Sequence, residues 1–450
     1  MSASNATFRL SEPHTDSGAP AAAGSPHRAD PLADDQQQLP LSASPPLSGA
    51  PAPSLERWSR SGIHLEIHGE LNDVEQEWKE FEQHADRTVF QSFDWLAAWQ
   101  RHIGTRRGAV PAIVFGRDGD GQLLFILQLA IERRRLARQL TWLGSELCDY
   151  NAPLLAENFS DRVSAERFVL AWHDVVALLR ADPRFRFDLI DLQKMPAAVG
   201  AQRNPFLDLE TFDFQMLAHP SGAYVANLGS DWEAFYSAKR SSQTRKKERK
   251  QLKHLAEHGE VRFVDMQDRE DNARSLATLI DQKSRAFARM GVEDLFARPG
   301  YRDFFVAIAT DPDMRELIHV SRLDVGAVTA ATSMGLKFRD CYYLILSSYD
   351  DGDLSRFGPG RAHLHELLRN AIDRGFARFD FTVGDEPYKR DWSDTEIALY
   401  DHLAAVTFRG WLVMAMTTAF RRTKRIIKQS PTLWPAFSRM RAFAGLLSKR

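Results

Sequence analysis

Three strand-like runs in succession, 317–323, 327–338 and 341–349, lead into a loop rich in Gly, Asp and Pro at 350–360. A helical run at 361–374 and one more strand at 378–383 follow. No other stretch constrains the fold as tightly. Asp324 and the pair Arg339-Asp340 supply turn residues between the first three runs, which makes them a meander. Gly375 closes the helix as its C-cap. Within the loop, Ser355-Arg356-Phe357-Gly358-Pro359-Gly360-Arg361 stands between a strand and a helix. Glycines there let the backbone approach a ligand, and the free N–H groups of a helix N-terminus suit an anion such as a pyrophosphate, with Arg361 available for charge. A turn that merely starts a helix reads equally well. Gly-x-Gly-x-x-Gly is incomplete and Gly-Lys-Ser/Thr is missing, so the loop is neither a Rossmann fingerprint nor a P-loop.

The chain has 450 residues, more than one compact domain usually holds, and two domains is the natural expectation. A formal charge of −2 would set aside a strongly basic nucleic-acid binder, but the charge is segregated. Residues 1–57 carry −3 and nine of the 21 prolines, 58–408 carry −9, and 409–450 hold ten basic residues and no acidic one. The first 60 residues read as a disordered tail, because Pro, Ala, Ser and Gln cannot bury enough surface to offset their ordering entropy. Two cysteines, Cys148 and Cys341, give no disulfide framework, no secretory leader is evident, and the longest apolar run is too short for a bilayer. A cytoplasmic protein is expected.

Residues 61–218 read as a first α/β lobe. Its helices are expected at 71–84, 92–99 and 164–180, and its strands at 64–68, 109–115, 123–132, 139–143 and 187–192. Residues 219–408 repeat the plan, opening with one long and very basic helix at 231–258. The segment 409–450 is a basic amphipathic tail.

The order Gly358-Pro359-Gly360, then Asp380-Phe381-Thr382-Val383-Gly384-Asp385-Glu386, then Tyr388-Lys389-Arg390-Asp391-Trp392 resembles the CelD/BcsL family. These are GNAT-like proteins linked to cellulose and exopolysaccharide synthesis and related to Fem-type aminoacyltransferases. Phe90-Gln91-Ser92-Phe93-Asp94-Trp95 and Cys148-Asp149-Tyr150 agree with it in the front lobe. The resemblance spans 63–408; Ser355 departs from it, since the usual GNAT loop begins with Gln or Arg. It implies two tandem GNAT-like lobes of α/β class with a mixed sheet, and acyl transfer from an acyl-CoA thioester.

A thioester site needs a polarised carbonyl, a deprotonated nucleophile and an acid for the departing thiolate. The strand 341–349 is the expected source of backbone donors, with Ser348, Tyr349, Gly358, Gly360 and Arg361 as donor-binding residues. Asp380 and Asp385 are candidate bases, although Asp380 inside a strand suits a buried structural carboxyl equally well. Tyr388 is the candidate acid. Lys389 either holds an anionic group or pairs with Asp385 and Glu386. Asp149, Tyr150, Glu386 and Trp392 are expected to meet the acceptor, Trp392 otherwise serving as packing. His363 and His365, two apart on a helix, point to different sides and do not converge on a metal.

The basic run 239–253 reads as a solvated face or as a contact for a polyanion such as CoA phosphates or tRNA. Residues 411–450 suit an anionic membrane surface, or packing on the core or a partner. Three functions stay open: a GNAT acyltransferase acting on an amine or hydroxyl of an envelope or exopolysaccharide precursor, a Fem-like aminoacyl-tRNA-dependent enzyme, or a non-catalytic scaffold of a polysaccharide synthase.

Overall fold

The structure, a computed structural model, describes residues 55–134, 136–212, 216–265 and 268–429. The expectation of a disordered leader falls on 1–54, outside them, as does the tail beyond 429. Leu55–Trp58, assigned above to the leader, forms a strand antiparallel to His64–His68.

Two mixed sheets dominate. The first runs in space through Leu55–Trp58, His64–His68, Val110–Arg117, Leu123–Arg134, Ala137–Trp142, Leu189–Pro196, Leu399–Ala405 and Met216–Ala218. All its neighbours along that path are antiparallel except Ala137–Trp142 with Leu189–Pro196. The second runs through Val261–Asp265, Ile318–Val325, Val328–Phe338, Cys341–Tyr349, Arg378–Val383, Ala223–Asn227 and Thr395–Ile397, again with one parallel pair, Cys341–Tyr349 with Arg378–Val383. Each sheet is thus a meander, a parallel return after a helix, and an antiparallel strand beyond it.

That last strand is exchanged. Ala223–Asn227, directly after the first half of the chain, completes the second sheet, whereas Leu399–Ala405, within 219–408, pairs with Leu189–Pro196 in the first. The halves are therefore tied by main-chain hydrogen bonds as well as by side chains. Trp95 meets Phe304 edge-on at 5.1 Å, and Phe90 meets Tyr343 at 6.4 Å. One core cluster draws on both halves, with buried Trp78, Trp95, Trp99, Tyr301, Phe304 and Met334 among its members.

The single basic helix expected at 231–258 is two helices, Trp232–Lys239 and Ser242–Ala256. Arg240 is extended (φ −128°, ψ 128°), and Ser241 restarts the helix by accepting the Thr244 N–H at 3.1 Å. Helical periodicity survives the break, but the axis changes. The helix Pro359–Asp373 and the strands Cys341–Tyr349 and Arg378–Val383 lie where the sequence puts them.

Candidate functional site

The parallel strands Cys341–Tyr349 and Arg378–Val383 pair only from Cys341 to Tyr343 against Arg378 to Asp380. Beyond that point they part. Ile345 drops out of register with the neighbouring strand, since Met334 faces Leu346 while Gly335 faces Leu344. On the other side Thr382 sits at φ 58°, a conformation that costs a β-branched residue about 1–3 kcal/mol. Two contacts hold it there: Thr382 N–H donates to Asp380 Oδ1 at 2.7 Å, and Thr382 Oγ1 donates to Leu344 O at 3.1 Å.

A cavity of about 250 Å³ opens at the divergence. Leu344 to Tyr349 line it along the strand, and Gly360, Arg361 and His363 line it from the helix Pro359–Asp373. Glu386, Tyr388, Lys389 and Trp392 follow the other strand, and Lys283 and Phe287 come from the helix Arg269–Arg289. Glu146, Leu147 and Asp149 reach in from the first half of the chain, so the cavity lies between the two.

At its glycine end, Gly358 caps the helix in the left-handed region (φ 69°) with Pro359 at the first helical position and no side-chain cap. Pro359 carries no N–H and the Arg361 N–H donates to Gly358 O at 3.0 Å, which leaves the Gly360 N–H of this turn to meet a ligand. A Cβ at Gly360 would lie 3.1 Å from the Tyr349 ring, tighter than ordinary van der Waals contact, so the helix approaches the strand closely here. Ser348 Oγ, on a residue 4% exposed, has no hydrogen-bond partner among the described residues and is free to meet a polar ligand. Beside this end lies a second cavity of about 190 Å³, lined by Gly358, Arg245, Arg249, Arg361, Arg369 and Trp232, among others. Arg361 borders both cavities and donates to Gln251 Oε1 at 2.9 Å. These features suit a phosphorylated thioester donor such as acyl-CoA.

Ser348, Tyr349, Gly360 and Arg361 therefore line the main cavity, while Gly358 borders the second. Tyr388 and Lys389 line it; Asp380 and Asp385 do not. Asp380 is buried inside its strand, where the Tyr150 hydroxyl lies 2.9 and 2.7 Å from its two oxygens. Burial raises its pKa to about 7. Asp385 accepts a hydrogen bond from Ser221 Oγ at 2.9 Å. These two candidate bases thus each meet a hydroxyl, Tyr150 and Ser221. Asp149, Glu386 and Trp392 line the cavity, whereas Tyr150 is committed to Asp380. Trp392 is fully buried, stacked at 11° on Phe235, with the Arg240 guanidinium 4.2 Å from its ring centre. His363 meets Ser321 Oγ at 3.0 Å and His365 faces Glu248 at 3.5 Å, on separate sides of their helix.

Lys389 Nζ donates to Val383 O at 3.0 Å and sits 3.2 Å from Glu386 Oε2. Glycine at 384 makes room for this pair: its φ is 152°, and a Cβ there would lie 2.2 Å from Glu386 Oε2 and 2.7 Å from Lys389 Nζ. Gly384→Ala is expected to destabilise the fold by about 1–3 kcal/mol and to lower any transfer activity by displacing Lys389. Thermal melts read the first effect and turnover the second.

Sequence reasoning missed Lys283. Its Nζ donates to Ser347 O at 3.0 Å on the cavity strand. Burial pushes its pKa down to about 8, opposed by Glu386 and reinforced by Lys389. Tyr388 is hydrogen-bonded to Ser347, and burial raises its pKa, which keeps the hydroxyl protonated.

Residues 242–390 match the family described as acetyltransferase (GNAT) domain. FemX, in its crystal structure, superposes with a TM-score of 0.50 at 10% identity, over 72% of this chain and 95% of FemX. A conserved protein of unknown function from Bacteroides thetaiotaomicron gives 0.47 at 11%, over 75% and 98%. The C-terminal domain of a putative lysylphosphatidylglycerol synthetase from Agrobacterium fabrum gives 0.47 at 11%, over 77% and 96%. Comparison with curated proteins gives no match. The fold is α/β with two mixed sheets, shared in outline with FemX, and residues 242–390 carry the likeness to the acetyltransferase (GNAT) domain.

Proposed function

We propose that the protein transfers an acyl group from acyl-CoA to an amine or hydroxyl held between the lobes 61–218 and 219–408, in the cytoplasm. The observation that carries this reading is the cavity at the parted parallel strands, with the uncapped glycine turn and Arg361 at one end and Lys283, Tyr388 and Lys389 at the other. A bound thioester supplies the activated carbonyl carbon. The chain does the rest: backbone amides of the bulged strand stabilise the developing oxyanion, Lys283 takes the proton from the acceptor, and Tyr388 returns one to the departing thiolate. Lys389, held on Val383 O, keeps Glu386 in place beside both. The acceptor class, an envelope or exopolysaccharide precursor, rests on the likeness of the motifs at 380–386 and 388–392 to the CelD/BcsL family.

The second cavity, lined by four arginines and by Glu233, Glu248 and Glu366, and the basic helix Ser242–Ala256 favour one alternative, an aminoacyl-tRNA donor whose phosphates continue past Arg361. Calorimetry on the intact protein separates the two. Acetyl-CoA is expected to bind, and Gly360→Asp to weaken that binding at least tenfold, about 1.4 kcal/mol, because a side chain meets Tyr349 and its charge repels phosphate. No binding of any CoA species, with saturable binding of charged tRNA, replaces this reading with the alternative.

A further inference from the structure

Eight large hydrophobic side chains are conspicuously exposed among the described residues, and four of them stand on one helix, Phe408–Gln429. They are Phe408 (76% exposed), Trp411 (51%), Leu412 (46%) and Met416 (58%). At 100° per residue these positions fall within one stripe, and the exposed Ala415 and Ala419 lie inside it. The opposite face is turned inward: Gly410 is buried, and Val413, Met414 and Thr417 are half-buried. The helix start is clamped to the first sheet, since Val406 N–H and Thr407 N–H donate to Asp188 O at 2.9 and 3.2 Å, and the Thr407 hydroxyl donates to Asp188 Oδ1 at 2.9 Å. A Cβ at Gly410 would lie 1.8 Å from Asp188 O, so the docking face is close-packed. The stripe therefore points away from the protein by construction and not through fraying.

An apolar stripe of this kind calls for a cover, and charge says which. From residue 409 to the end the sequence holds ten basic residues and no acidic one. A second copy laid on this helix would bring two such segments together, and like charges oppose that. An anionic lipid surface accepts both features at once, the apolar face entering the headgroup boundary and the cations meeting phosphates.

We propose that the helix Phe408–Gln429 seats the protein on an anionic membrane surface through the stripe Phe408, Trp411, Leu412 and Met416. The attachment is peripheral: among the described residues no helix is long and apolar enough to cross a bilayer. It is independent of the acyl-transfer reading and stands or falls without it.

The full chain is tested by co-sedimentation with vesicles of phosphatidylcholine containing about a third phosphatidylglycerol, and with phosphatidylcholine alone. Binding is expected to the first and at least tenfold weaker to the second. Trp411→Glu with Leu412→Glu, on an exposed face, is expected to keep the melting temperature and lose at least tenfold in binding. Met416→Cys carrying an environment-sensitive dye is expected to shift to the blue with the anionic vesicles. Unchanged binding of the double variant, or no shift of the dye, overturns the proposal. So does equal binding to neutral vesicles, or light scattering that shows a dimer which the double variant dissolves with no vesicle binding in either protein.

Discussion

Lys283→Met is expected to lower the turnover of acyl transfer by about 10²–10⁴-fold while leaving the melting temperature close to that of the parent. The side chain crosses from the helix Arg269–Arg289 to Ser347 O on the cavity strand, and it is half-buried rather than part of the core. Its pKa near 8 is low for an amine because burial disfavours the ammonium and Lys389 adds repulsion. An amine of this kind is neutral often enough near pH 7 to accept a proton, and it becomes a good acid once it has done so. The rate should therefore climb with pH and level off near 8, and Lys283→Met should flatten that limb. Lys283→Arg separates charge from proton transfer. A guanidinium keeps the positive charge but does not deprotonate, so recovery of activity by Arg would assign Lys283 to holding an anion and remove it as the base. Thiol release from acetyl-CoA with amine and saccharide acceptors, followed from pH 6 to 9, measures all three proteins.

That residue also marks the boundary of what a single sequence reveals. The meander, the glycine turn and the strand Arg378–Val383 were legible because period-2 runs broken by Asp and Gly carry their own punctuation. Gly360 read as a place where the backbone approaches a ligand; its close contact with the Tyr349 ring was not legible. Lys283 was not legible. It lies on a helix with several other cations, and helical periodicity does not distinguish a lysine facing a cavity from one facing water. The exchange of Ala223–Asn227 and Leu399–Ala405 was hidden for a different reason: alternation can announce a strand but not a partner more than 150 residues away. The break at Arg240 was local: Ser241-Ser242-Gln243-Thr244 interrupts the basic run there, and Ser241 caps the second helix. Asp380 was drawn toward the site by its motif. Its hydroxyl partner, Tyr150, lies 230 residues earlier in the chain.

Asp380→Asn is accordingly expected to act on stability and not on turnover. The carboxyl is fully buried between the lobes and its pKa rises from 3.8 to about 7, chiefly through burial, with the Tyr150 hydroxyl and the Thr382 N–H pulling the other way. Between those two values the folded state holds a proton that the unfolded chain releases, so stability falls as pH rises from 4 to 7 and stays low above. The full difference is on the order of 4 kcal/mol at 1.36 kcal/mol per unit, or roughly 5 °C in melting temperature for a chain of this size. Asparagine does not titrate there. Its carbonyl can accept the Thr382 N–H and its amide can donate to the Tyr150 oxygen, so both contacts survive without the charge. The variant should match the parent near pH 4 and exceed it by several degrees at pH 8, with kcat changed no more than a few-fold because Asp380 does not line the cavity. Parallel melting curves across this range would sink the assignment of a proton held by Asp380 in the folded state. A collapse of kcat with unchanged melting would return Asp380 to the role of base and displace Lys283 from it.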